Sequence, residues 1–171
     1  IIGAIRLIYI DANSAIENEL SLFDVYDCSA ETFEFFESFI NYDDEEFTKE
    51  LTNFLESELV FSGNNVLIID RIGIRSEYRG HNLGIIVLGN LIQRFSTGVS
   101  VVVIKPAPFK FSTIHIKPNY IDWQCSEINK DSIEVTRLGD YYQKLGFTKI
   151  NNSAYLVLGN AKNSRSGIPK I

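Results

Sequence analysis

The stretch of this sequence best suited to holding an anion is Arg79-Gly80-His81-Asn82-Leu83-Gly84. It follows the apolar run VLIIDRIGI (Val66 to Ile74) and opens a helical stripe. A helix begins with backbone N–H groups that lack internal partners, at the positive end of its dipole. Glycines at such a corner let a phosphate reach those amides without meeting a Cβ. Arg79, Gly80, His81, Asn82, Leu83, Gly84 and Ile85 therefore form a candidate phosphate cradle. The competing reading is a tight strand-to-helix turn whose glycines serve packing alone. Neither the G-x-G-x-x-G pattern nor a Gly-Lys-Ser/Thr phosphate loop is present.

Three further positions carry possible chemistry. Gly73 interrupts an apolar strand, which marks a bulge, a close backbone approach or simple room for a neighbouring ring. Asp70 and Arg71 break the same strand, so each needs a partner or an exposed edge. Tyr142, late in the chain, is either an amphipathic packing residue or a hydroxyl with a task. His81 and His115 have no companion at metal-ligand spacing, and no metal is expected. Glu77 is read as ordering the turn before the cradle.

These residues need elements to position them. Gly3 to Asp11 and Leu20 to Asp27 alternate like strands and read as a loose hairpin. Ser29 reads as a helix N-cap with Glu31 in the first turn and a stripe through Phe33, Phe36 and Ile40. Asp43 and Glu46 read as the capping box of a second helix, whose stripe is Phe47, Leu51, Phe54, Leu55 and Leu59. Both helices are expected to pack, with solvated acidic faces and no chemistry.

Val66 to Ile74, a helix striped by Leu83, Val87, Leu91 and Phe95, and Val99 to Ile104 form a β-α-β unit with parallel strands. Ala107 to Asp131 shows no period and is expected to be loop with some short structure. Tyr120 and Trp123 lie within it, as core residues or at the mouth of a site. Glu134 to Leu145 is a helix candidate ended by Gly146. Thr148 to Ile150 and Ala154 to Leu158 fit a hairpin around Asn151-Asn152-Ser153. One domain over 1–159 and a polar tail over 160–171 complete the reading.

Composition narrows the classes. The 171 residues are 45% apolar and 22% charged, enough for a sizeable core and too apolar for a disordered chain. Sixteen basic residues against 22 acidic give a net charge of −6, which argues against general nucleic-acid binding. No apolar run is long enough to span a bilayer. Cys28 and Cys125 cannot build a disulfide framework and are read as buried thiols of a reducing, cytoplasmic compartment. The opening residues do not read as a signal peptide. The chain holds no methionine, so what precedes Ile1 stays open.

Two segments resemble the GNAT superfamily of acyl-CoA-dependent N-acetyltransferases. Its Arg/Gln-x-x-Gly-x-Gly/Ala signature is matched by Arg79 and Gly84, after the approach Arg75-Ser76-Glu77-Tyr78-Arg79-Gly80. Asn82 stands where glycine is usual, although asparagine tolerates a left-handed backbone and still supplies its amide. Tyr141-Tyr142-Gln143-Lys144-Leu145-Gly146-Phe147 is similar to the family's second motif. Val135 stands where that family commonly has asparagine. The resemblance covers Val66 to Leu158. The first 60 residues match poorly, starting with an apparent central hairpin in place of the usual opening strand and helices.

The resemblance implies an α+β (mixed α/β) fold: a central mixed twisted sheet, helices on both faces, and a parallel strand pair splayed at the cofactor site. It implies acetyl-CoA as co-substrate, its diphosphate on the cradle and its pantetheine arm along Ile72, Gly73 and Ile74. A strand amide there would polarise the thioester carbonyl. Tyr142 falls on the family's general acid. Asp70 is nominated as the base, through water, and Arg71 as a contact for an acidic acceptor. The reaction implied is direct acetyl transfer to a primary amine. A catalytically silent acyl-CoA-binding module and a protein-interaction module of the same fold remain alternatives. The acceptor is not legible, and the oligomeric state is open, a homodimer included.

Overall fold

A computed structural model describes residues 2–58, 63–107, 109–117, 120–127 and 133–159, the backbone alone within 109–127. The chain runs β1 (Gly3–Ile10), α1 (Ala12–Glu17), α2 (Leu22–Tyr26), α3 (Ala30–Phe39), α4 (Lys49–Ser57) and β2 (Val66–Ile74). After a short turn of 3-10 helix at Ser76–Tyr78 come α5 (Leu83–Phe95), β3 (Val101–Ile104), β4 (Phe109–Lys117) and β5 (Tyr120–Glu127). The last elements are α6 (Ile133–Gln143), β6 (Thr148–Lys149) and β7 (Leu156–Gly159).

Five strands form one mixed sheet in the order β1-β2-β3-β7-β6. Its centre is the parallel pair of β2 and β3, the strands of the β-α-β unit. Their residues alternate between two cores, because successive side chains of a strand point to opposite faces. Val66, Ile68, Val101, Val103 and Val157 pack with Tyr26, Phe35, Phe36, Phe39, Leu51 and Leu55 of the opening helices. Leu67, Ile69, Val102, Ile104 and Leu156 pack with Leu88 and Ile92 of α5 and with Tyr142 of α6. Helices therefore cover both faces, and the mixed α+β class expected from the sequence holds. Truncating any of Phe35, Phe36 or Phe39, each at most 2% exposed, would cost about 3–5 kcal/mol.

The opening hairpin does not exist. Leu20 to Asp27 contains helix α2 instead, with Leu22 and Tyr26 buried one turn apart. What stabilises its start is remote: Glu45 accepts hydrogen bonds from Ser21 Oγ and the Leu22 amide, both at 2.6 Å. Four helices thus separate β1 from β2, which pair antiparallel. The opening is a strand followed by helices, not a central hairpin. Glu45 has a left-handed backbone, and Asp43 and Glu46 do not cap the next helix, whose N-cap is Thr48. That helix starts after Thr48. Ser29 does cap α3, reciprocally with Thr32.

The α5 stripe was misplaced, whereas in the α3 stripe Phe36 and Ile40 are buried and only Phe33 is half-buried. In α3 the buried residues are Thr32, Phe35, Phe36 and Phe39. In α5 they are Gly84, Ile85, Leu88, Gly89 and Ile92, while Val87 and Phe95 are exposed. Helix α5 is apolar nearly all round, so several faces satisfy the 3.6-residue period. Gly84 lies on the buried face, where the Tyr141 hydroxyl comes close to it.

The unpatterned stretch after Ala107 forms an antiparallel pair of its own, β4 with β5, rather than loop. The side chains of His115, Tyr120, Trp123 and Cys125 lie outside the described residues, as do Leu59 and the proposed tail 160–171. Cys28 is exposed in the turn before α3, not buried. The closing hairpin is present, Asn151 taking the left-handed conformation between β6 and β7.

Candidate active site

The strands β2 and β3 part company at a definite place. Their pairing runs from Val66 with Val101 to Ile69 with Ile104 and ends there. Strand β2 continues to Ile74, bonded on its other side to β1. Beyond Ile69 and Ile104 no ladder joins β2 to β3 among the described residues, and the edge of Asp70–Ile74 that faces the chain leaving Ile104 is the candidate cleft. The register with β1 shifts at the same point: Arg6 faces Arg71 and Leu7 faces Ile69, leaving Asp70 as the extra residue. The bulge lies at Asp70, three positions before the expected Gly73, which is buried and in regular register with Ala4. An inserted residue bends a strand and re-aims its side chains. Here it directs Asp70 and Arg71 to the α3 side, while Ile72 packs in the α5 core.

On the α5 side, the strand ends in the turn that starts the helix. Gly80 has φ +86°, and a Cβ there would find no atom within 4 Å. Asn82 is the N-cap in the left-handed region at φ 56°, supplying the conformation for which glycine is usual. The first intrahelical bond runs from the Ile86 amide to Asn82 O, so the Leu83 and Gly84 amides precede the hydrogen-bonded ladder. Arg79 folds back, its Nε donating to Ile74 O at 2.9 Å. His81 is exposed. Arg75 and Glu77 form an exposed ion pair at 2.7 Å, in keeping with a turn-ordering role for Glu77.

Tyr141 was missed by sequence reasoning. Its hydroxyl accepts from the Ile85 amide at 2.8 Å, and a Cβ on Gly84 would stand 2.8 Å from that oxygen. A Cβ at position 84 would push the Tyr141 hydroxyl back from the Ile85 amide. Tyr142 is 2% exposed and belongs to the core that contains Ile69 and Ile104, the last paired residues before the cleft. Burial, and secondarily the neighbouring Tyr141, pushes its hydroxyl above the ordinary tyrosine range, so it stays protonated.

On the α3 side, the cleft faces charge. Arg6 bonds both Asp70 and Glu31, the latter at 2.6 Å, and Arg71 reaches Glu31 at 3.2 Å. Asp70, its side chain 7% exposed, thus lies between two guanidinium groups. One helical turn along, Glu34 holds the Lys105 ammonium at 2.6 and 2.8 Å. The Tyr155 hydroxyl donates toward Glu31 O at 3.2 Å and Glu34 Oε2 at 3.4 Å. Burial first, then the Glu34 charge, raises the Tyr155 pKa well above its ordinary value. The acidic face of α3, expected to be solvated and idle, closes this side of the cleft. Only the (i, i+3) spacing of Glu31 and Glu34 hinted at that.

No family model, curated protein or solved structure matches the chain. Among the described residues, no group of three or more His, Cys, Asp or Glu could hold a metal ion. Nor, among them, is any helix long and apolar enough to cross a membrane.

The cleft thus joins two chemically different sides. One offers helix-terminal amides with Arg79 beside them, suited to an anion; on the other, Asp70, Glu31 and Glu34 are paired with Arg6, Arg71 and Lys105.

Proposed function

We propose that this chain is an acyl-CoA-dependent N-acyltransferase that moves an acetyl group from acetyl-CoA to a primary amine. The observation that carries the reading is the parting of β2 from β3 after Ile69 and Ile104, beside the left-handed Asn82 cap. The amides of Leu83 and Gly84, with Gly80, His81 and Ile85 around them, would receive the diphosphate, and Arg79 would flank it. The edge of Ile72, Gly73 and Ile74 would pair with the amide groups of the pantetheine arm. A strand amide there would donate to the carbonyl oxygen as negative charge develops on it.

The amine would come from the α3 side, where Glu34 presents a carboxylate beside Tyr155. An ammonium must shed a proton before it can attack, and Glu34 is the carboxylate placed to accept it. Asp70, nominated from the sequence for that task, serves here as the counter-ion of Arg6 and Arg71. Tyr142, protonated and packed beneath the end of the strand pair, would supply the proton for the departing thiolate. Much of the acceleration would be positional, from holding thioester and amine on opposite sides of one narrow opening.

The burial of Tyr142 favours a second reading, a silent acyl-CoA-binding module. Calorimetric titration with acetyl-CoA tests the cradle. Thiol release in the presence of a panel of primary amines then separates enzyme from binder. Absence of a binding isotherm would refute both readings.

A further inference from the structure

We infer that Lys105 is itself an acyl acceptor, so that the protein acylates its own Lys105 Nζ; the inference rests on the acyl-CoA reading above. Lys105 follows Ile104, the last β3 residue paired with β2. Its Cα therefore stands at the lip of the cleft, opposite the bulge at Asp70. Alternation along β3 sends Val102 and Ile104 to the α5 core and Val103 to the α3 core. The next side chain accordingly turns to the α3 side, where Glu34 holds its ammonium at 2.6 and 2.8 Å.

This is the position proposed for an external amine. The structure already fills it with a primary aliphatic amine on a flexible stem, beside the carboxylate that would take its proton. Lys105 is a quarter exposed and Glu34 rather more, so proton exchange with solvent is open. The neighbouring Arg6 and Arg71 cannot compete as nucleophiles, since guanidinium groups remain protonated.

The step balances as follows. Glu34 takes one proton from the Lys105 ammonium and passes it to solvent. The freed Nζ lone pair attacks the thioester carbonyl carbon, forming a C–N bond. The oxyanion collapses, the C–S bond breaks, and the thiolate receives a proton from Tyr142. The nitrogen loses its second proton, which replaces the one that Tyr142 gave up. The products are Nε-acyl-Lys105 and free CoA, and the ion pair with Glu34 is lost.

The experiment incubates the full chain with acetyl-CoA, following binding by calorimetry and acetylation by peptide mass mapping. The exposed Lys49, Lys144 and Lys149 report background chemical acetylation. Lys105 should be modified about tenfold or more faster than these, because the cleft holds donor and amine together. Its rate should saturate with acetyl-CoA concentration, and Glu34→Gln should slow it. Binding without Lys105 acetylation, or labelling at the rate of Lys144 and Lys149, would overturn the inference while leaving the acyl-CoA reading intact. Absence of binding would overturn both. Wild-type mapping decides the matter even if the Glu34 variant folds poorly.

Discussion

The Tyr141 hydroxyl accepts a hydrogen bond from the Ile85 amide at 2.8 Å, tying α6 to the first turn of α5. Burial chiefly raises its pKa, although the Ile85 bond opposes this, so the phenol keeps its proton. The oxygen is engaged as an acceptor, and among the described residues its O–H has no acceptor, so it can donate to an anion resting on the Leu83 and Gly84 amides. Tyr141→Phe should weaken acetyl-CoA binding about tenfold, the worth of one hydrogen bond to a charged group. Calorimetry on the two proteins checks this, and equal affinities would remove Tyr141 from the cradle.

Tyr142 differs in kind although it is the next residue. Its ring is packed in the core shared by Ile69 and Ile104. Tyr142→Phe should lower turnover about a hundredfold while acetyl-CoA affinity stays within about twofold of wild type. The reading is a single-turnover thiol-release assay across pH. Wild-type rates at every pH would mean the thiolate leaves without help from Tyr142.

The contrast between these neighbours shows what the sequence could and could not reveal. The β-α-β unit was legible because Val66 to Ile74 and Val99 to Ile104 are apolar enough to be covered on both faces. The helix between them was legible too, but not which way it faced. A bulge was one of the readings open for Gly73, and the strand does carry one, but at Asp70. Glycine is a visible marker, whereas the extra residue at Asp70 is defined only by the register with β1. Helix α2 stayed hidden for a similar reason: Glu45, a distant side chain, supplies its N-terminal partners. Glu34 meets Lys105, and Tyr155 meets Glu31 and Glu34, only through tertiary packing; the (i, i+3) spacing of the two glutamates names neither partner.

Tyr26 tests the packing of the first core. Its ring stacks on Phe35 with centroids 5.5 Å apart, and its hydroxyl is buried with no hydrogen-bond partner among the described residues. Burial raises its pKa well above the ordinary value. A buried hydroxyl without a partner carries a desolvation cost of roughly 1–3 kcal/mol. Tyr26→Phe removes that cost and keeps the ring, so it should raise stability by about 1 kcal/mol. Denaturant midpoints at neutral pH provide the comparison. A loss of more than about 1 kcal/mol would mean the hydroxyl has a partner after all.

Glu31 links α3 to the bulged strands and should make their attachment acid-sensitive. Burial alone would raise its pKa, but its own backbone N–H and the Arg6 guanidinium outweigh that, holding the carboxyl below the ordinary value. In the unfolded chain the group returns to about 4.3. A carboxyl whose pKa is lower when folded stabilises the fold above its unfolded value. That contribution disappears as pH falls through the folded value. Wild type should therefore exceed Glu31→Gln in stability at neutral pH. The gap, kept modest by partial exposure and solvent screening, should close progressively below about pH 4. Urea midpoints for both proteins between about pH 7 and pH 3 measure the gap directly. If it keeps the same width down to about pH 3, the Arg6 pairing is not what holds the Glu31 proton off.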